Sequence, residues 1–264
     1  MFYKATLPHR RVDQLNEPFE LLLVYKRGKM ATYDERLFSH GIRKKIHEAR
    51  FLWLVRKLEK HLLPKKLNIL ELGCFNGRTL EYLPSDFSKY QGLDSNWEGG
   101  LDQAKSKYSD KRISFAFCLD STGLQIDRNT NAFVCLETLE HLDQKTLEGY
   151  IAELKKRLPE GTKLFITVPN EIGLIFLVKK FVKLFLFKDH RASEYTAKEF
   201  FLQSLGMTDF IERNYNHKGF HWKKLRNLLE KHFELISTEG IHSPMMPVFL
   251  NFSVGFVLQQ RSSK

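Results

Sequence analysis

Between Leu67 and Asn170 five short apolar runs alternate with helical patterns, and this alternation constrains the fold more than any other feature of the chain. The runs are Leu67–Leu72, Tyr90–Leu93, Ile113–Leu119, Ala132–Leu136 and Lys163–Val168. They are followed by Gly73, Asp94, Asp120, Glu137 and Pro169-Asn170. Helical patterns over Arg78–Tyr82, Gly100–Tyr108 and Gln144–Arg157 separate them. In the last, Leu147, Tyr150, Ile151, Leu154 and Leu158 recur at 3.6-residue spacing. Asp143 is placed to cap that helix, and Pro159-Glu160-Gly161 stops it. Apolar strands alternating with helices predict an α/β fold, a doubly wound parallel sheet covered on both faces. Ligands of such sheets bind at the carboxyl ends of the strands, where the polar residues above fall.

After Asn170 the pattern breaks. Residues 171–220 read as a helical insert with a very apolar start. A helix over His221–His232 and strands near Phe233–Glu239 and Asn251–Gln259 follow. The last two are expected to pair antiparallel, since the loop between them leaves no room for a crossover helix. An N-terminal helical cover is expected over 1–66, with a helix at Glu48–Leu62 that presents Phe51, Leu52, Leu54, Val55 and Leu58. The remainder, 67–264, reads as one domain.

The strongest local signal is Glu71-Leu72-Gly73-Cys74-Phe75-Asn76-Gly77-Arg78, a strand running through a glycine-bearing turn into a helix. Such a turn lets backbone approach a ligand closely. A helix N-terminus adds free N–H groups. Asp94, followed by Ser95, lies 23 positions after Glu71. A carboxylate there can accept hydrogen bonds from both hydroxyls of a ribose. Asp120-Ser121 suits an adenine amino group. Leu136-Glu137-Thr138-Leu139-Glu140-His141-Leu142 closes the fourth strand.

The series ELGCFNG, GLDSN, CLDS, CLETLEHL and LPEGTKLFITVPN resembles the class I S-adenosylmethionine-dependent methyltransferases. Within them it is most similar to the group with an LEH motif that includes ubiquinone-pathway O-methyltransferases. The resemblance covers Leu67–Asn170 well and the later elements loosely. It implies a Rossmann-like seven-stranded sheet with an antiparallel last strand and S-adenosylmethionine as cofactor. By this likeness Glu71, Gly73, Cys74 and Gly77 frame the methionine end, and Asp94 with Ser95 binds the ribose. Asp120 and Ser121 flank adenine; Leu136 and Glu137 line the methyl-donor pocket. Phe75 stands where the family has a glycine, so its side chain must point away from the cofactor. Asn131 stands where the family has Asp.

Methyl transfer from a sulfonium needs alignment, and a base only when the acceptor must lose a proton. His141 is the candidate base, its alternative role being to pack the start of the Gln144–Arg157 helix. Glu140 is placed to orient it, although adjacent helical residues point apart. His217 and His221 are second candidates, as substrate contacts or surface residues. No metal site is expected. Cys74, Cys118 and Cys135 show no zinc spacing and read as small apolar residues.

The net charge is +11, concentrated in the flanks: +9 over 1–66, −3 over 67–170 and +5 over 171–264. Such flanks suit a solvated surface or an anionic partner. Ile172–Lys188 would form a helix of roughly 24 Å, short of a ~30 Å bilayer core. Lys179, Lys180 and Lys183 are expected on one side of it. It reads as a lid over the acceptor pocket or as an interfacial helix at a membrane surface. With no signal peptide at the start, the expected location is the cytoplasm, including the inner face of a membrane. The acceptor is expected to be a small molecule, lipid- or glycan-linked. An RNA acceptor is weaker without an RNA-binding module, and a non-catalytic scaffold is opposed by the acidic residues at 71, 94 and 120.

Overall fold

The structure, a computed structural model, describes residues 38, 41–187, 194–214 and 217–262, with the side chains of 42 and 183–187 excepted. Most of the expected N-terminal cover lies outside the described residues. The chain divides into two units, Met1–Lys44 and Lys45–Lys264. Residues 45–66, read from the sequence as part of the N-terminal cover, fall in the same unit as the sheet. All that follows concerns that unit.

Seven strands form one sheet: β1 (Asn68–Leu72), β2 (Lys89–Asp94), β3 (Ile113–Phe117), β4 (Ala132–Leu136), β5 (Lys163–Pro169), β6 (Glu234–Gly240) and β7 (Ser253–Gln259). Their order is β3-β2-β1-β4-β5-β7-β6. β1 to β5 are parallel, and β7 runs antiparallel to both β5 and β6. The antiparallel tail expected from the sequence is present. β3 is shorter than its apolar run: it stops at Phe117, and both Phe117 and Leu119 are exposed.

The described helices are α1 (Gly41–His61), α2 (Gly100–Lys107), α3 (Gln144–Arg157), α4 (Gly173–Phe187), α5 (Ala197–Ser204) and α6 (Trp222–His232). α3 matches its predicted bounds because both ends are specified. Asp143 accepts from Thr146 N at its start, and its buried face is Leu147, Tyr150, Ile151 and Leu154. The helix expected at Arg78–Tyr82 is a single 3-10 turn, Arg78–Glu81.

Alternate residues of a strand face opposite sides of the sheet. Val254, Phe256 and Leu258 of β7 join the core under α3 and α6, with Trp222, Leu225 and Leu229. Gly255 faces the other side, against Trp53 of α1; a Cβ there would sit 2.5 Å from the indole ring. Trp53 Nε1 donates to Glu239, which also pairs with Lys57 at 2.6 Å. From Lys45 onward α1 is thus a layer of the sheet unit.

Asn131 has a specific reason to be an amide. Its Oδ1 accepts from Asn68 N at 2.9 Å and its Nδ2 donates to Lys66 O at 2.8 Å, tying β4 to the chain entering β1. A carboxylate could make only the first bond.

Gly255→Val should destabilise the protein by about 1–3 kcal/mol, the usual cost of forcing extra carbons into a packed interface. Urea denaturation of both proteins measures it.

Candidate active site

The loops after β1, β2, β3 and β4 meet at the carboxyl edge of the sheet. Gly73 has φ +79, and a Cβ on it would lie 2.1 Å from Thr138 Oγ1, so glycine alone lets the β1 and β4 loops touch. Asp94, at the end of β2, joins β1 and β2. Its Oδ2 accepts from Phe75 N at 2.9 Å and its Oδ1 from Asn96 N at 2.8 Å. Burial raises the Asp94 carboxyl, and the backbone N–H groups act against that shift. Phe75 itself is left-handed at φ 46. Its ring lies over Gly100, whose absent side chain makes room, and 6.1 Å from Trp97.

Glu71 is 2 % exposed and held on the α1 face, where Thr79 Oγ1 and Tyr90 OH donate to it at 2.7 and 2.5 Å. It braces the turn from behind. Burial raises its carboxyl to about 7. The Cys74 thiol is buried against Gly92, and burial pushes it well up, so only its backbone is left to face a ligand. All three cysteines are buried and free. Gly77, at φ 74, closes the turn against Tyr108 and Phe115. Ser95 is exposed beside Asp94. Asp120 is exposed and caps the turn Ser121–Gly123, accepting from Thr122 N and Oγ1 at 2.9 and 2.6 Å. These bonds hold its carboxyl below the ordinary range. Ser121 packs against Gly149 of α3. The exposed Trp97, Phe117 and Leu119 belong to the same two loop regions.

The turn after β4 has a different character. Leu136 is buried, and Glu137 is left-handed at φ 53. Glu137 N donates to Thr167 O at 2.9 Å, while its buried Oε1 has no hydrogen bond. Glu140 is 1 % exposed, and neither of its oxygens has a hydrogen bond. Burial raises the carboxyls of both. Adjacent residues diverge on an α-helix, but Leu139–His141 is one 3-10 turn, and His141 Nε2 comes to 3.8 Å from Glu140 Oε1.

His217, from the insert, completes the cluster. Its Nε2 is 3.3 Å from His141 Nε2 and 4.0 Å from Glu140 Oε1. Its Nδ1 is 3.6 Å from Glu171 Oε1. Lys179 Nζ donates to Glu171 at 2.5 Å and also reaches Asn170 O and Phe252 O. Burial opposes ionisation of Glu171, but Lys179 and His217 outweigh it and hold the carboxyl well below its usual range. Arg213 donates to Glu140 O at 3.0 Å, fixing the turn.

Three expectations are corrected here. Lys179 does not share an outer face with Lys180: it turns inward to Glu171, and Lys180 lies over the Tyr195 ring at 4.6 Å. The Lys183 side chain lies outside the described residues. Asn170 is buried and structural, its Nδ2 donating to Phe249 O and Asn251 O. His221 is the N-cap of α6, its Nδ1 accepting from Lys223 N at 3.2 Å.

No family model and no curated protein sequence matches the chain. Solved structures do. An S-adenosylmethionine-dependent methyltransferase from Clostridium acetobutylicum ATCC 824 superposes with a TM-score of 0.57 at 13% identity, over 92% of this chain and 99% of that one. The fold is the Rossmann-like methyltransferase fold. Magnesium protoporphyrin IX methyltransferase from Synechocystis PCC 6803, with bound S-adenosylhomocysteine, gives 0.56 at 18% identity over 86% and 92%. N-methyltransferase NodS from Bradyrhizobium japonicum WM9, in complex with S-adenosylhomocysteine, gives 0.52 at 14% identity over 86% and 96%.

Because Glu71 holds its proton more tightly when folded, stability falls as pH rises from about 4.5 to about 7. Glu71→Gln removes that group. The stability of wild type relative to the variant should therefore drop by up to about 3 kcal/mol across this window, read from urea denaturation at each pH.

Proposed function

We propose that the chain is an S-adenosylmethionine-dependent methyltransferase. The observation that carries this reading is the Asp94 bridge. A strand-end carboxylate fixes the glycine turn of β1, on a fold shared with methyltransferases that bind S-adenosylhomocysteine. In this reading the turn from Gly73 through Cys74 to Gly77 gives its backbone to the methionine part of the cofactor, with Glu71 bracing it. Asp94 and Ser95 take the ribose; Asp120 and Ser121 take the adenine edge. Trp97, Phe117 and Leu119 supply apolar surface for the base. Leu136 and Glu137 border the methyl group, and His141, half-exposed beside His217, meets the acceptor. When bound, the cofactor supplies the electrophilic methyl. The chain's own work is to align the acceptor and exclude water.

The proposed acceptor is a small, lipid- or glycan-linked molecule, O-methylated at a hydroxyl. Support comes from α4. Leu174, Val178 and Phe181 recur at helical spacing and are all exposed, Leu174 at 60 % and Phe181 at 57 %. Ile175 and Phe176 face inward. The 3-10 turn Val248–Leu250, with exposed Phe249, packs beside this helix. Among the described residues no helix is long and apolar enough to cross a membrane. An outward apolar stripe on such a helix suits contact with acyl chains at an interface.

Calorimetric titration should give saturable binding of S-adenosylmethionine and S-adenosylhomocysteine, weakened at least tenfold, about 1.4 kcal/mol, by Asp94→Ala. A folded wild type that binds neither ends this reading.

The α4 assignment predicts that Leu174→Glu with Phe181→Glu reduces co-sedimentation with anionic lipid vesicles severalfold. Its affinity for S-adenosylhomocysteine should be unchanged. Equal sedimentation of variant and wild type would leave the stripe without its assigned role.

A further inference from the structure

We infer that Glu140, His141 and His217 form a binding site for one divalent transition-metal cation, held between the turn after β4 and the insert. The three ligand atoms are His141 Nε2, His217 Nε2 and Glu140 Oε1, separated by 3.3, 3.8 and 4.0 Å. The circle through three points so spaced has a radius of about 2.2 Å. Metal–nitrogen and metal–oxygen bonds in protein sites are ~2.0–2.2 Å. A cation at the centre therefore meets all three atoms with small side-chain adjustments.

Glu140 supplies the independent reason. A carboxylate this deeply buried, with no hydrogen bond to either oxygen, carries a desolvation penalty of several kcal/mol unless it is neutralised. Three nearby side-chain cations do not hydrogen-bond to it, and Arg50 acts on it only at a distance. Arg213 donates to the main-chain carbonyls of Leu139 and Glu140, and Lys179 to Glu171 and two carbonyls. What the Glu140 carboxylate faces instead is the pair of imidazole nitrogens.

The surroundings orient the His217 nitrogen. Glu171 stands behind the His217 ring on the Nδ1 side, which leaves Nε2 turned to the cluster. A carboxylate behind a histidine is the usual support of a ligating imidazole. Lys179 fixes Glu171 in turn. Glu137, whose Oε1 is also buried without a hydrogen bond, puts a second carboxylate in the same turn. Two imidazoles with carboxylate oxygen suit zinc, manganese, cobalt or ferrous iron better than calcium or magnesium, which take oxygen ligands. Water or an oxygen of the acceptor would complete the coordination, and the cation would make the proton of that oxygen easier to lose. That role rests on the methyltransferase reading; the site itself does not.

The test uses the full chain stripped of metal by chelator. Mn²⁺ is titrated against it with the free-ion signal read by electron paramagnetic resonance, and Co²⁺ by visible absorption. S-adenosylhomocysteine binding is measured separately by calorimetry. One saturable equivalent is expected, weakened at least tenfold in His217→Gln and in Glu140→Gln. His217 is partly exposed, so its variant keeps the test decisive if Glu140→Gln fails to fold. Absence of saturable binding of either ion overturns the proposal. So does binding that His217→Gln leaves unchanged, which would leave a shared Nε2–H···Nε2 hydrogen bond between the rings. Metal binding without cofactor binding keeps the cation site and removes the methyltransferase reading; cofactor binding without metal binding does the reverse.

Discussion

The geometry of the site depends on one carboxylate. Asp94 ends β2, and β2 lies beside β1 in parallel register with Leu72 opposite Leu93. The side chain one residue further along therefore reaches the loop leaving β1. There it accepts from Phe75 N, and from Asn96 N in its own loop. A neutral side chain of similar size would leave these donors without a charged acceptor, and hydrogen bonds to charge are about twice as strong as neutral ones. With Phe75 N fixed, the residue takes a left-handed conformation and sends its ring across Gly100. The bulky residue in a turn that favours glycine is thereby accommodated on the far side of the loop. Thr138 then closes on Gly73, so the positions of the β1, β2 and β4 loops are set together.

The loops proposed to hold the cofactor were legible in the sequence as strand ends because their determinants are local. Each strand is an apolar run bounded by a residue that must be small or polar, and α3 carries its own cap, periodic face and stop. Those patterns placed Gly73, Asp94, Asp120 and Glu137 at one edge of the sheet. What sequence could not give is which partner each side chain takes. Nothing local distinguishes Glu71, occupied by Thr79 and Tyr90, from Glu140, occupied by neither. Asn170 looked like a site residue by position, yet its amide holds the chain near Asn251. The short 3-10 turn at Leu139–His141 defeated the helical rule that neighbouring side chains diverge. His217 lies 76 residues from His141, on an insert with no family pattern, so their contact has no sequence signature.

The insert is more than a cover. Glu171 receives Lys179 from α4 and faces His217 from the segment before α6. Its main-chain carbonyl accepts from Gln203 Nε2 of α5, and the same amide donates to Phe220 O and accepts from Gly219 N. One buried glutamine and one buried glutamate thus lock α4, α5 and the His217 segment to the end of β5. A substitution that loosened this junction would displace His217 from His141 without touching either ring.

The two halves of the site differ in how their acids are satisfied, and this bears on what each half is for. Asp94, Asp120 and Glu71 each accept at least two hydrogen bonds from this chain, so the loops that carry them are complete before any ligand arrives. Glu137 and Glu140 keep buried oxygens without a hydrogen bond. Folding alone gives no return for burying such groups, since an apolar side chain of similar volume would cost less. For Glu140 the proposed partner comes from outside the chain, at the point where the two histidines converge. Pre-formed loops on one side and unsatisfied carboxylates on the other are what a site needs when one ligand must be aligned and another drawn in.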